Sequence, residues 1–135
     1  MDADVVNSLA VATLDGSMPF PLIIGKLIAE GVEYYHVDFA ANSFTFYSAA
    51  GSVVTASLPF EGLPSVSVDF DVTALKAAIL DSQQHGQEFR SFCERAIRAG
   101  VQGYFAFLRG HRVTYLGRQG NQHVEWFPGA KSGDV

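Results

Sequence analysis

The most constraining feature of this sequence is an internal duplication. When the chain of 135 residues is shifted so that Asp2 meets Asp71, its two halves align without a gap. Identical residues recur where a backbone needs a particular side chain, at helix starts, helix ends and turns, as in the pairs Phe20/Phe89, Gly31/Gly100, Gly51/Gly120 and Pro59/Pro128. The sequence therefore predicts two similar units, pseudo-repeats 1–66 and 70–135, within one domain spanning 1–135.

Each half begins with two predicted helices. Asp2 and Asp71 precede the first helix of each half as N-caps. In the second helix, apolar residues recur at i, i+3, i+4, i+7 and i+8, which forms one stripe: Phe20, Ile23, Ile24, Leu27 and Ile28, matched by Phe89, Phe92, Cys93, Ala96 and Ile97. Gly31 and Gly100 then close these helices in a left-handed conformation. Because Cys93 lies on the apolar stripe, the pattern favours a core thiol over a nucleophile.

After each closing glycine the apolar period changes from 3.6 to 2, which predicts strands. Two more predicted strands follow in each half, at 44–48 and 112–117 and then just before Pro59 and Pro128. A three-stranded half would leave its sheet edges poorly covered. The predicted fold class is therefore α+β: an internal duplication of a helix-helix-strand-strand-strand unit, with six mainly antiparallel strands in one sheet and helices packed against it. The pattern is compatible with both an open sheet and a closed barrel.

Composition and charge exclude several classes of function. No apolar run approaches 18 residues, so no membrane span is predicted. Residues 1–69 carry eight acidic residues against one lysine, and residues 70–135 carry six against eight basic residues, giving −7 and +2. The net charge of −5 disfavours nucleic acid, although an arginine patch could hold a small anion. A start without signal-peptide features and a single cysteine predict a cytoplasmic protein without an internal disulfide.

Three stretches of the second half resemble a known family. They read Ala-Gly-Val-Gln-Gly-Tyr at 99–104, Arg-Val-Thr-Tyr-Leu-Gly-Arg at 112–118 and His-Val-Glu-Trp-Phe-Pro at 123–128. They resemble the YbcV-like family of uncharacterised bacterial proteins, sometimes labelled phage-envelope proteins, and the resemblance extends over nearly the whole chain. It implies a bacterial or phage-derived origin and the α+β fold, with a phage structural or accessory role as one alternative. It supplies no reaction and no catalytic residue.

Two polar pairs break the symmetry of the duplication. His36 and Asp38 align with phenylalanines, and His123 and Glu125 align with Val54 and Ala56. Residues two apart on a strand share a face, so these four side chains could ligate a divalent metal if the fold brings the strands together. A metal-activated water would then support hydrolysis. Ordinary exposed polar alternation is the favoured interpretation, and no other cofactor is predicted.

A second candidate site is a small-anion site. Arg112 and Arg118 flank one predicted strand, and His123 and Glu125 lie on the next. An arginine fork beside a histidine could bind a carboxylate or phosphate. The favoured alternative is a cross-strand ion pair between Arg118 and Glu125, which stabilises an exposed site by under about 1 kcal/mol.

The second half also carries surplus aromatic residues. Phe105, Phe107 and Trp126 stand where the first half has His36, Asp38 and Ser57. Either the strand of Phe105 and Phe107 is central and buried on both faces, or these residues contribute to an exposed patch. An exposed patch predicts a homodimer in which the acidic half of one subunit attracts the arginine-rich half of the other.

No catalytic motif such as a P-loop, a Gly-x-Ser-x-Gly elbow or His-Glu-x-x-His occurs in the sequence. The leading hypothesis is therefore a small cytoplasmic, non-enzymatic module that binds a protein partner or an anionic ligand. The metal-assisted hydrolase and the phage-derived protein are its alternatives.

Overall fold

A computed structural model describes residues 1–58 and 60–128. Its elements follow the predicted order twice, which confirms the α+β class and the repeated unit. In chain order they are α1 (Ala3–Asp15), α2 (Phe20–Ala29), β1 (Val32–Asp38), β2 (Ser43–Ser48), β3 (Val53–Ser57), α3 (Val72–His85), α4 (Phe89–Arg98), β4 (Val101–Phe107), β5 (Arg112–Gly117) and β6 (Gln122–Trp126). Among the described residues, no helix has the length and apolar character needed to cross a membrane.

The six strands form one antiparallel sheet in the order β3-β2-β1-β4-β5-β6. The first strands of the two halves, β1 and β4, pair at the centre, with Tyr35 opposite Ala106 and Val37 opposite Tyr104. The pseudo-two-fold axis of the duplication therefore passes between these strands. Because the strand order of residues 1–58 and 60–128 ends at β3 and β6, the sheet that these residues form is open.

One face of the sheet, together with the helices, forms the hydrophobic core. Alternate strand residues such as Val37, Phe44 and Ala106 are fully buried there against helix residues such as Leu27 and Leu75. Burying a side chain of this size stabilises the fold by about 1.5 to 3 kcal/mol. Cys93 is also fully buried as a free thiol, and desolvation raises its pKa. The apolar stripes of the helices and the alternate apolar residues of the strands thus pack together in a single core.

Both predicted N-caps are present. An Asp2 carboxylate oxygen accepts hydrogen bonds from the backbone N–H groups of Asp4 at 2.9 Å and Val5 at 3.3 Å. The Asp71 carboxylate accepts one from Ala74 N–H at 3.0 Å. Each cap contributes about 1 kcal/mol by satisfying a donor at the helix start.

The two closing glycines are both left-handed, as predicted, with φ of 87° at Gly31 and 95° at Gly100. Their surroundings differ. An added Cβ at Gly31 would meet no atom within 4 Å, whereas one at Gly100 would overlap the backbone of Asp69. The segment that joins the two halves packs here, and Asp71 N–H donates to the Ala99 carbonyl at 2.7 Å. Gly100 therefore serves both the helix end and the connection between the halves.

Substituting these matched glycines separates the cost of a left-handed backbone from the cost of the close backbone contact at Gly100. Gly31→Ala should lower the free energy of unfolding by about 1 to 2 kcal/mol, the usual penalty of a left-handed residue with a Cβ. Gly100→Ala should lower it by clearly more, because the backbone of the joining segment must also move. Urea unfolding of both variants measures the difference, and equal losses would contradict this account.

Candidate functional site

The face of the sheet opposite the core, here called the open face, carries three rows of side chains across all six strands. The strand registers give an aromatic row of Val53, Tyr47, Tyr34, Phe107, Arg112 and Trp126; a central row of Thr55, Thr45, His36, Phe105, Thr114 and Val124; and a polar row of Ser57, Ser43, Asp38, Gly103, Leu116 and Gln122. Apart from Gly103, all these residues are half-buried or exposed. Within the described ranges, the core lies entirely on the other side.

The aromatic row breaks the symmetry of the duplication. The pseudo-two-fold axis exchanges the aromatic row with the polar row, so that Phe107 corresponds to Asp38 and Trp126 to Ser57. Close strand packing explains Gly103, since an added Cβ would lie 2.5 Å from the Val37 carbonyl oxygen. Both sides of the face belong to one duplicated scaffold, so folding alone does not require aromatic side chains on only one of them.

The rings of the open face stand upright on the sheet. Tyr34 and Tyr47 stack with centroids 4.6 Å apart and planes 13° apart, and His36 stacks on Phe105 at 4.2 Å and 8°. These separations are close to the spacing of neighbouring strands, so each ring face is turned toward a neighbouring strand and each ring edge points outward. The open face is therefore a ridged apolar surface, unlike the exposed flat rings on which nucleic-acid bases stack.

Arg112 completes the aromatic row. Its guanidinium carbon lies 4.2 Å from the ring centroid of Trp126, across the β5–β6 pair. Cation–π packing of this kind stabilises an exposed site by about 0.5 to 1 kcal/mol and covers apolar surface with the arginine stem. The row thus continues to the edge of the sheet as a packed set of side chains.

His36 lies in the middle of the open face with an unsatisfied ring nitrogen. Its Nε2 is buried, without a hydrogen-bond partner in the described structure. The neighbouring Asp38 carboxylate instead accepts the backbone N–H groups of Ala40 and Ala41, both at 2.9 Å. Desolvation lowers the pKa of His36, and the charge of Asp38 opposes that shift. His36 is therefore a neutral, largely apolar contributor to the central row at pH 7.

The structure does not bring the four predicted metal ligands together. His36 and Asp38 lie on the open face of β1, whereas His123 and Glu125 lie on the core side of β6. The two strands are separated by β4 and β5, which corresponds to roughly 14 Å. Across residues 1–58 and 60–128, no group of three or more His, Cys, Asp or Glu side chains is arranged to hold a metal ion. Sequence spacing shows that each pair shares a face but not which face.

The residues of the predicted anion site also lie in separate places. Arg112 packs on the open face and Arg118 follows the far end of β5, where its Nη1 donates to the Val66 carbonyl at 3.3 Å. His123 Nε2 and Glu125 Oε2 are 2.8 Å apart on the core side of β6. The expected Arg118–Glu125 pair does not form, because the strand register sets Glu125 opposite Val113.

Arg118 borders an open cavity of about 520 Å³ near one end of the central strands. The cavity is lined by the residues Ala40, Ser65, Val66, Gln102, Gly117 and Arg118. Arg118 is the charged member of this lining, and its guanidinium has donors beyond the one given to Val66. Of the four residues predicted for the anion site, this lining contains Arg118.

Sequence reasoning missed the contribution of Tyr34 and Tyr47 to the aromatic row. Strand alternation indicated only which residues of the same strand share a face with each tyrosine. The register that sets Tyr34 between Tyr47 and Phe107 is a property of strand pairing. The available signal was the set of three surplus aromatic residues in the second half, Phe105, Phe107 and Trp126. They suggested either a strand buried on both faces or an exposed patch.

Comparison with known proteins identifies the family of this chain. A family model described as a protein of unknown function, DUF1398, matches residues 10–125. A search of curated proteins finds no match to the sequence.

The neutral state of His36 predicts a pH dependence of stability. Because the folded protein lowers the pKa of His36 below 6.5, the free energy of unfolding should fall as the pH decreases through that value. Phenylalanine stands at the matched position 105 and cannot be protonated, so His36→Phe should lose this part of the pH dependence. Urea unfolding between about pH 5.5 and 8 measures it. The control is His85→Phe at an exposed histidine, and wild-type pH dependence in His36→Phe would contradict the prediction.

Proposed function

Because this chain belongs to the DUF1398 family of proteins of unknown function, we propose its role from the geometry of the open face. The protein is a non-enzymatic binding module that recognises an apolar protein surface through the aromatic row. The observation that carries this proposal is a contiguous row of Tyr, Phe, Arg and Trp side chains that runs across five strands outside the core and continues to Val53 on the sixth. Contiguous apolar patches of this kind mark interaction sites on soluble proteins.

The chemistry of the open face favours a protein over other partners. A net charge of −5 disfavours a phosphate backbone, and upright rings present edges where bases or sugars need flat faces. Tyrosine, tryptophan and arginine are the residues enriched at energetically dominant positions of protein interfaces. Among charged side chains, the three rows contain one carboxylate, Asp38, and one guanidinium, Arg112.

The separation of the predicted metal ligands removes the four-residue hydrolase site from this proposal. A cytoplasmic location fits the free thiol of Cys93 and is part of the proposal. The narrower YbcV-like assignment stays a prediction. So does a phage-derived structural or accessory role, in which the same face would join subunits.

Site-specific photo-crosslinking in cells tests the binding role of the open face. A benzophenone amino acid replaces Val53 in the aromatic row or, as a control, Leu80 on α3, since both side chains are about half exposed. We expect a discrete protein adduct from position 53 that is lost when Phe107→Ser is added, and none from position 80. Equal adducts at both positions, or none at position 53, would refute the proposal.

The cavity beside Arg118 supports a second candidate function, binding of a small carboxylate or phosphate. Inorganic phosphate and succinate are the probes in a thermal-shift titration. At 100 times its Kd, a bound anion should raise the unfolding temperature by roughly 5 to 10 °C. Arg118→Ala should abolish the shift, whereas Arg109→Ala, at another exposed arginine on the β4–β5 turn, should retain it. A shift that survives Arg118→Ala would place the anion elsewhere.

A further inference from the structure

We infer that the open face binds a second copy of this chain, in a face-to-face dimer whose two-fold axis runs parallel to the strands between β1 and β4. The inference rests on the proposed binding role of that face and specifies its partner. Three properties of the described residues carry it: the placement of the aromatic row, the distribution of charge between the halves and the size of the face.

The placement of the aromatic row selects the axis. Two sheets packed face to face with parallel or antiparallel strands can be related by a two-fold axis along the strands or across them. An axis along the strands sets each aromatic row against the other, with Tyr34 opposite the partner's Phe107 and Val53 opposite the partner's Trp126. An axis across the strands would instead set the aromatic row against the polar row of Asp38 and Gln122. Only the first arrangement matches apolar with apolar surface.

The charge distribution selects the same axis. Within the sheet, residues 32–57 carry two acidic and no basic residues, and residues 101–126 carry three arginines against one glutamate, giving net charges of −2 and +2. Because β1 to β3 belong to the first half and β4 to β6 to the second, an axis along the strands places each acidic half over the partner's basic half. The axis across the strands would oppose acidic to acidic. Unlike charges favour association and like charges suppress it, so charge and apolar matching agree.

The open face is large enough for a stable dimer. Six strands span about 29 Å and three rows of alternate residues about 20 Å, so two such faces bury roughly 1,200 Å² together. That total lies at the lower end of the range for specific interfaces. The upright rings give each face ridges that can interdigitate, as side chains do between the packed sheets of a β-sandwich.

Sedimentation velocity of the full chain between about 1 and 100 µM tests the dimer. We expect a dimer whose dissociation constant rises at least about tenfold in Val53→Lys, because the added ammonium would face the partner's Trp126, whose ring already carries the guanidinium of the partner's Arg112, a like charge. The matched control is Val11→Lys on α1, since both valines are 56% exposed and neither substitution disturbs the core. It should leave the dimer unchanged. A monomer across this range, or equal effects of both lysines, would overturn the inference.

Cross-linking tests the orientation of the axis. Ser57 and Gln122 are exposed residues of the polar row on opposite edge strands of one sheet, too far apart for a short linker within a chain. They face each other across the proposed interface, and replacing them leaves the aromatic row intact. A bismaleimide that spans the sheet separation of about 10 Å should therefore form covalent dimers in Ser57→Cys/Gln122→Cys and in neither single variant. A dimer that does not cross-link in this way would overturn the axis. If the chain is monomeric but photo-adducts at position 53 contain another protein, the binding role stands and the self-association fails.

Discussion

The pairing of β1 with β4 is the interaction on which the rest of the molecule depends. Each half has only three strands, and their inner strands would otherwise present an unpaired edge. Joining them makes one six-stranded sheet and places the duplication axis at its centre. The close approach of the two strands leaves no room for a Cβ at Gly103, and the segment between the halves leaves none at Gly100. Both constraints follow from uniting two repeats in one sheet.

A sheet assembled in this way has two unlike faces. The four helices supply one apolar layer, and the buried strand residues such as Val37, Phe44 and Ala106 meet it. The opposite face keeps its own side chains in contact with one another, through stacked rings and the Arg112–Trp126 pair. That lateral packing half-buries aromatic side chains without a covering layer, and it leaves their edges as the outer surface. Edges and ridges suit a protein surface, which is the basis of the proposed binding role.

Duplication also distinguishes structural from functional features. Positions that are the same in both halves, such as the N-caps Asp2 and Asp71, serve the backbone in the same way twice. Positions that differ require a separate explanation, and those of the aromatic row all lie along one side of one face. The polar pairs His36/Asp38 and His123/Glu125 differ as well, but they face opposite sides of the sheet. Asymmetry within a repeat is therefore informative only once its members are located in three dimensions.

The sequence by itself determined the repeated unit, the helix stripes, the caps, the closing glycines and the fold class, because these depend on residues within a few positions of one another. It also indicated that Phe105, Phe107 and Trp126 were unusual. Only the tertiary structure decided that Tyr34 and Tyr47 join them, that His36 and His123 lie on opposite faces, and that Arg118 contacts Val66 rather than Glu125. The physical reason is strand register: alternation fixes which residues of one strand share a face, whereas pairing between distant strands fixes which faces and neighbours they share.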